Sequence, residues 1–274
     1  MQNEERQTTV TPQQITCKSA LTGSEGHYRL NPYVGCTHAC AYCYATYLAH
    51  WRGQSGPWGS WVQAKTNIPR VLERELLRKR GIQVFLSTAC DVYQPAEEQL
   101  RLTRHCLSIL AIAAQKDDDL SVFLLTKSDL ILRDIDVLQA FPAGRIGMGF
   151  SLTTHRDDVA AILEPGASSP SRRIEAARKL REAGLRVELF ANPILPYVTE
   201  RDLPGLADCA AKIGVRLGGF GLVHYLERHV GGKLRAAYRH FGPEALARLK
   251  AAQQDPGYEA QVRRLVAEVT EAAG

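Results

Sequence analysis

The segment Asn31-Pro32-Tyr33-Val34-Gly35-Cys36-Thr37-His38-Ala39-Cys40-Ala41-Tyr42-Cys43-Tyr44 decides how the rest of this chain is read. Its three cysteines follow C-x3-C-x2-C spacing within eight residues, close enough for their thiolates to converge on one soft metal centre. A [4Fe–4S] cluster normally takes four cysteines, so three leave one iron open to a substrate or cofactor. Gly35 gives the loop the backbone freedom to wrap a bulky group. Two other readings stand beside this one. Structural zinc prefers ligand pairs in separate knuckles; the chain has no second C-x2-C, but His38, His27 or Cys17 could complete a zinc site. Buried cysteines acting only as small apolar residues are the third reading.

Working outward, the 274 residues are 45% hydrophobic and 23% charged, the balance of an ordinary soluble globular protein. No apolar run approaches the ~20 residues of a membrane span. The opening MQNEERQTTVTPQQ lacks the basic start and apolar core of a secretory signal, so a cytoplasmic location is expected. A net charge of +5 is too small to mark a nucleic-acid binder by itself. Seven cysteines, an odd number in a reducing compartment, argue for metal, catalysis or burial rather than a disulfide framework.

Short apolar runs alternate with helical patterns along most of the chain. Strands are expected at Tyr28–Leu30, Gln83–Thr88, Ser121–Thr126, Ile146–Ser151, Arg186–Ala191 and Gly218–Val223. Helices are expected at Cys43–His50, Arg70–Arg80, Ala96–Lys116, Leu130–Phe141, Ser171–Ala183 and Asp202–Ile213. Gly184 and Gly214 stand where helix C-termini should. Six such alternations predict an α/β fold with a parallel sheet, and runs such as VFLL and VELFA predict strands buried on both faces. Function then belongs at the C-terminal ends of the strands. Residues 1–26, ending in Thr22-Gly23-Ser24-Glu25-Gly26, read as a flexible lead-in; 27–225 form the main unit; 226–274 read as a helical C-terminal extension.

C-x3-C-x2-C with an aromatic before the last cysteine resembles the radical S-adenosylmethionine superfamily, and NPYVGCTHACAYCYA resembles its spore photoproduct lyase-like branch. Asp91-Val-Tyr93-Gln94-Pro95-Ala-Glu97, Leu125-Thr-Lys127-Ser128 through Arg133-Asp134, Phe150-Ser151 and Glu164-Pro165 with Arg173 extend the likeness over about residues 27 to 225. The resemblance implies a partial (β/α)6 TIM-like barrel whose open mouth holds a [4Fe–4S] cluster and S-adenosyl-L-methionine. One electron, from a donor such as flavodoxin or ferredoxin, would cleave the cofactor to methionine and a 5′-deoxyadenosyl radical that abstracts a substrate hydrogen. The protein's part in such chemistry is placement and exclusion of side reactions.

The resemblance also implies roles by position. Cys36, Cys40 and Cys43 would ligate the cluster, Tyr42 would contact the adenine portion of the cofactor, and Tyr44 matches a tyrosine involved in hydrogen-atom transfer. Lys127 ends an apolar strand, where an ammonium needs an anionic partner; the family's partner is the methionyl carboxylate. Ser151 matches a serine at the cofactor's polar end, and Asn192 stands at the fifth strand end within reach of the adenosine. Cys90 lies near the position of the branch's hydrogen-atom-donating cysteine but is offset toward Asp91. Cys17, Cys106 and Cys209 read as structural.

The substrate is less legible. All three tryptophans fall between Trp51 and Trp61, in a Gly-rich loop expected to overhang the barrel mouth; with Arg52 they could stack nucleobases, cover a small substrate, or pack on one another. The reading taken forward is a radical enzyme acting on a small metabolite, nucleoside or peptide. DNA-lesion repair by a lyase is the alternative; against it, the tail reads as helices where the lyase pushes a β-hairpin into the duplex. A non-enzymatic zinc-binding or scaffold domain is the third possibility.

Overall fold

The computed structural model describes residues 10–223 and 230–272. Ten strands are present: β1 Gln13–Ile15, β2 Leu21–Ser24, β3 His27–Leu30, β4 Tyr33–Val34, β5 Gln63–Lys65, β6 Gln83–Leu86, β7 Ser121–Thr126, β8 Ile146–Ser151, β9 Val187–Phe190 and β10 Arg216–Gly218. The helices are α1 Tyr47–Trp51, α2 Ile68–Leu76, α3 Ala96–Leu100, α4 Leu102–Ala114, α5 Ile135–Gln139, α6 Asp157–Leu163, α7 Pro170–Glu182, α8 Thr199–Ile213, α9 Gly231–Tyr238, α10 Pro243–Gln254 and α11 Tyr258–Ala272.

The larger sheet has the order β10-β9-β8-β7-β6-β3-β2. Every neighbouring pair from β3 to β10 is parallel, with crossovers through helices, and only β2 runs antiparallel. Five of the six expected strands are therefore parallel strands of this sheet, the sixth is displaced toward Arg216, and the expected α/β architecture is present. β1, β5 and β4 form a second, small sheet, with β4 entering the cysteine loop and β5 following it.

Several local expectations change. The lead-in is not featureless over its described part: β1 and β2 lie inside it, while residues 1–9 lie outside the described residues. Glu25 (φ 54°) and Gly26 (φ 83°) close a two-residue hairpin between β2 and β3, with Ser24 opposite His27. Two consecutive positive φ values match the right-handed twist of the flanking strands, so these turn residues pair the strands. The boundary expected at 225/226 also lies outside the described residues; beyond it α9, α10 and α11 form the helical tail.

The helix expected at Ala96–Lys116 is two helices, broken at Arg101 (φ 51°). The buried Glu97 carboxylate explains the break. It accepts from the backbone N–H groups of Thr103 (2.9 Å) and Arg104 (3.2 Å), capping α4 from the preceding helix. The last strand is Arg216–Gly218, ending where the expected Gly218–Val223 begins, because the chain turns at Gly219 (φ 63°), where any Cβ would meet the Phe190 ring.

β8 is buried at every position and β9 at all but its last, as expected of strands covered on both faces, but β6 and β7 are not buried alike on both faces. Val84, Leu86, Val122 and Leu124 are buried under the helices, whereas Phe85, Phe123 and Phe190 line the inner face as a contiguous aromatic row with centroids 5.4 and 5.6 Å apart. Phe85 remains 38% exposed, so this face is open, as in a sheet curled into an incomplete barrel. No helix among the described residues is long and apolar enough to cross a membrane.

Candidate active site

The C-terminal ends of the parallel strands converge on a cavity of about 370 Å³. Cys36, Cys40, Cys43, Tyr42, Tyr44, Cys90, Lys127, Ser151 and Asn192 all line it, so every site residue expected from the sequence arrives at one place.

The cysteine loop is anchored before its first ligand position. Tyr33 of β4 donates to Glu97 at 2.5 Å, and Glu97 is completed by Arg133 at 3.0 Å. Further along, Gln94 bridges the loop, accepting from Thr37 N (3.1 Å) and donating to Gly35 O (3.1 Å). On the opposite side Ala41 N donates to Leu163 O (2.8 Å) and Gly166 N donates to His38 O (3.1 Å). Gly166 passes so close to the loop that a Cβ would stand 2.1 Å from Thr37 O.

Cys36, Cys40 and Cys43 are free thiols. Burial pushes all three above the ordinary thiol range, Cys40 to about 12, while the Lys127 cation opposes the rise at Cys40 and Cys43. A group bringing its own positive charge would reverse that balance and favour thiolates. The donor set thus suits a thiolate-held cluster. Among the described residues, no three His, Cys, Asp or Glu side chains are grouped to hold a single metal ion; a cluster takes its cysteines on separate irons. Of the residues considered as a fourth zinc ligand, His27 faces a different cavity at the other end of the sheet, and Cys17 packs against the main core. His38 lines the cysteine cavity, with Nδ1 3.4 Å from Asp91 Oδ2, an ion-pair distance without hydrogen-bond alignment.

Asp91 closes the floor. It accepts from Thr126 Oγ1 (2.8 Å), Lys127 N (2.7 Å) and Tyr93 N (2.9 Å). Burial acts to raise its carboxyl, but the facing His38 and the two backbone N–H donors bring it down to about 2.

Lys127 ends β7 with its Nζ donating to Ser151 Oγ (2.9 Å) and standing 5.7 Å from the centre of the Tyr42 ring. Among the described residues no carboxylate is within ion-pair distance of it. Ser151 Oγ donates to Asn192 O (2.7 Å), so β7, β8 and the end of β9 meet around this ammonium. Cys90 is buried, its thiol pointing to Tyr33 O (3.3 Å); burial raises it to about 12. Tyr44 is 44% exposed at the rim, bonded to Thr88 O.

Of the three readings of the tryptophan loop, packing of the aromatics on one another is the one that Trp58 and Trp61 follow, although they do so in the wall and not over the mouth. Trp58 and Trp61 are 8% and 9% exposed, edge to face at 5.7 Å, and packed behind the cysteine loop; only Trp51 projects, at 79% exposed. Gly35 and Gly59 allow this packing, because a Cβ on Gly35 would meet the Trp61 ring and one on Gly59 would meet Ala39. Trp58 and Trp61 are wall, not stacking platforms.

The Glu164-Pro165 string carries no role legible from sequence alone. In the fold Glu164 accepts from Tyr42 OH, from Thr153 Oγ1 (3.2 Å) and from Arg173. A pointer existed: Arg173 shares the i, i+3, i+4, i+7 stripe with buried Ala176, Ala177 and Leu180 of α7, so its guanidinium had to find a buried partner.

Comparison with known proteins agrees with this geometry. Residues 30–210 match the Radical SAM superfamily. The uncharacterized protein MJ0683 of Methanocaldococcus jannaschii is 35% identical over 169 residues, 62% of this chain and 61% of that protein. The uncharacterized protein Mb2609c of Mycobacterium bovis is 30% identical over 231 residues, 78% of this chain and 66% of that protein. The chain thus spans just under two thirds of the length of these relatives. Among solved structures, a spore photoproduct lyase variant with bound AdoMet and dinucleoside spore photoproduct superposes with a TM-score of 0.59 at 17% identity, covering 85% of this chain and 65% of that one; at that identity the likeness is one of fold. A cysteine loop at the mouth of a six-stranded parallel half-barrel, matched over most of the chain, establishes that this protein belongs to the radical SAM superfamily.

Proposed function

We propose that this chain is a radical S-adenosylmethionine enzyme in which Cys36, Cys40 and Cys43 hold a [4Fe–4S] cluster and the rest of the cavity holds the cofactor. The observation that carries this reading is one shared cavity containing three free, largely buried thiols and a lysine with no carboxylate partner. When bound, the cluster and cofactor supply a 5′-deoxyadenosyl radical by one-electron cleavage of the sulfonium bond.

The chain's own residues bind, orient and enclose. The Lys127 ammonium receives the cofactor carboxylate, and Ser151 fixes that ammonium between β7 and the end of β9. Tyr42, tied down through its hydroxyl to Glu164, and Asn192 line the same cavity and would hold the adenosine portion. Burial of the cysteine loop behind Trp58 and Trp61 keeps water from the reacting centre. Cys90, which follows β6, and Tyr44, which ends the cysteine loop and bonds to Thr88 O, line the same cavity and are the proposed groups for returning a hydrogen atom to the substrate. A small metabolite, nucleoside or peptide is the proposed substrate class, with a flavodoxin or ferredoxin as electron donor. Trp58 and Trp61 are packed into the wall and the described part of the tail is helical, which favours this class over duplex DNA.

Anaerobic reconstitution with iron and sulfide, followed by dithionite and S-adenosylmethionine, tests the reading. The expected result is a brown protein that forms 5′-deoxyadenosine, with cluster and cleavage both lost in Cys40→Ala. A colourless, zinc-loaded protein, or cleavage retained by Cys40→Ala, overturns it. Binding to damaged duplex that falls steeply with salt would move the substrate to nucleic acid instead.

A further inference from the structure

The C-terminal helices make their polar contact with the cysteine loop through Lys233. Lys233 of α9 donates from Nζ to Ala39 O (2.7 Å) and to Trp58 O (3.3 Å). Ala39 lies between the first two cysteines in a left-handed conformation (φ 55°), which costs an L-residue energy unless its surroundings hold it there. Trp58 belongs to the wall behind the same loop. Both carbonyls would otherwise be left without these donors on a buried loop. The remainder of α9 packs beside the site: Val230, Leu234, Ala237 and Tyr238 share an apolar cluster with Cys40, Ala41 and Tyr42.

Resting on the function proposed above, we infer that Lys233 is a positioning residue for the cluster, joining the C-terminal helices to the cysteine loop and placing a positive charge beside it that makes reduction easier. Two physical effects combine. The two hydrogen bonds pin Ala39 and Trp58 relative to one another, so the loop keeps the shape that presents all three thiols. The ammonium favours whichever redox state of a thiolate-held cluster is the more negative, which is the reduced one. Lys127 lines the cavity with the three cysteines, and Lys233 bonds to Ala39 within their loop, so both the sheet and the tail bring a cation to it. A packed tail without a role at the site predicts neither effect.

The test uses the full chain, reconstituted anaerobically, with dithionite as the one-electron donor and the cluster followed by electron paramagnetic resonance. The wild-type protein must first assemble a cluster; failure there rejects the function proposed above, not the role of Lys233. Given a wild-type cluster, Lys233→Met is expected to shift the midpoint potential to more negative values and to lose iron to a chelator several-fold faster, while Lys233→Arg stays near wild type in both. An unshifted potential and unchanged iron loss in Lys233→Met overturn the inference. If Lys233→Met assembles no cluster, Lys233→Gln, which keeps a donor but not the charge, decides the electrostatic part: a negative shift supports it and an unshifted potential overturns it.

Discussion

Glu164 and Arg173 are sealed together beneath the cavity, 2% and 1% exposed, and between them they hold three parts of the site. Glu164 takes the hydroxyl of Tyr42 from the cysteine loop, while Arg173 donates to Ser151 O at the end of β8 (2.8 Å) and to Ser168 O in the loop before α7 (2.6 Å). Burial alone would favour a neutral Glu164, but Arg173 and Lys127 hold its carboxyl below the ordinary range. A charge pair of this kind gives little net stability, yet losing one member leaves the other charged and unpaired.

Arg173→Leu should therefore lower unfolding stability by about 3–5 kcal/mol, measured by urea denaturation. Glu164→Leu combined with Arg173→Leu should cost less than the two single changes added together. A single variant within about 1 kcal/mol of wild type would show that the pair is not what locks these loops.

Gly166→Ala tests how closely the cysteine loop is backed. The added carbon would stand 2.1 Å from Thr37 O and 2.9 Å from His38 Cα, both backbone atoms that cannot rotate away. The loop must shift, at a cost of about 1–3 kcal/mol. The expected outcome is a folded protein by circular dichroism with reduced iron content after reconstitution; full iron content would contradict it.

Lys127→Met removes the one ammonium that faces the cavity without a carboxylate. A hydrogen bond to a charged group contributes about 1.5–3 kcal/mol, which corresponds to roughly a 10- to 150-fold loss of S-adenosylmethionine affinity. Equilibrium dialysis against the reconstituted protein measures this, with cluster content as the control. An affinity unchanged from wild type would remove Lys127 from the cofactor site.

Cys90→Ala separates initiation from hydrogen return. Its thiol bonds only to Tyr33 O and the edge of Asn31, so the fold should lose about 1 kcal/mol or less. Cluster content and 5′-deoxyadenosine formation should persist, while return of hydrogen to the substrate radical fails and labelled products change. Wild-type product labelling in this variant would reduce Cys90 to wall.

Much of this arrangement was readable along the chain because it is local. Ser121–Thr126 and Ile146–Ser151 appear in the sheet at the residues expected, since an apolar run flanked by turn residues has few other places to go. The Glu25-Gly26 hairpin is not legible from sequence because Gly-rich turn chemistry suits a flexible lead-in and a two-residue strand connection equally; only the pairing of β2 with β3 separates them. The break at Arg101 was missed because the apolar stripe continues across it and the cause, Glu97, is a buried carboxylate whose partners lie on both sides.

By itself, the sequence determined the cysteine loop, the order of the six parallel strands and the convergence of Lys127, Ser151 and Asn192 at their ends, because spacing and period are properties of neighbouring residues. Tertiary structure alone decided that Tyr42 rests on Glu164, 122 residues away, and that Lys233 caps Ala39 across 194 residues. It also turned two tryptophans from a presumed lid into the wall of the site. A buried polar group must find a partner, but nothing in its local pattern says which distant element will supply it; only closure of the fold makes that choice.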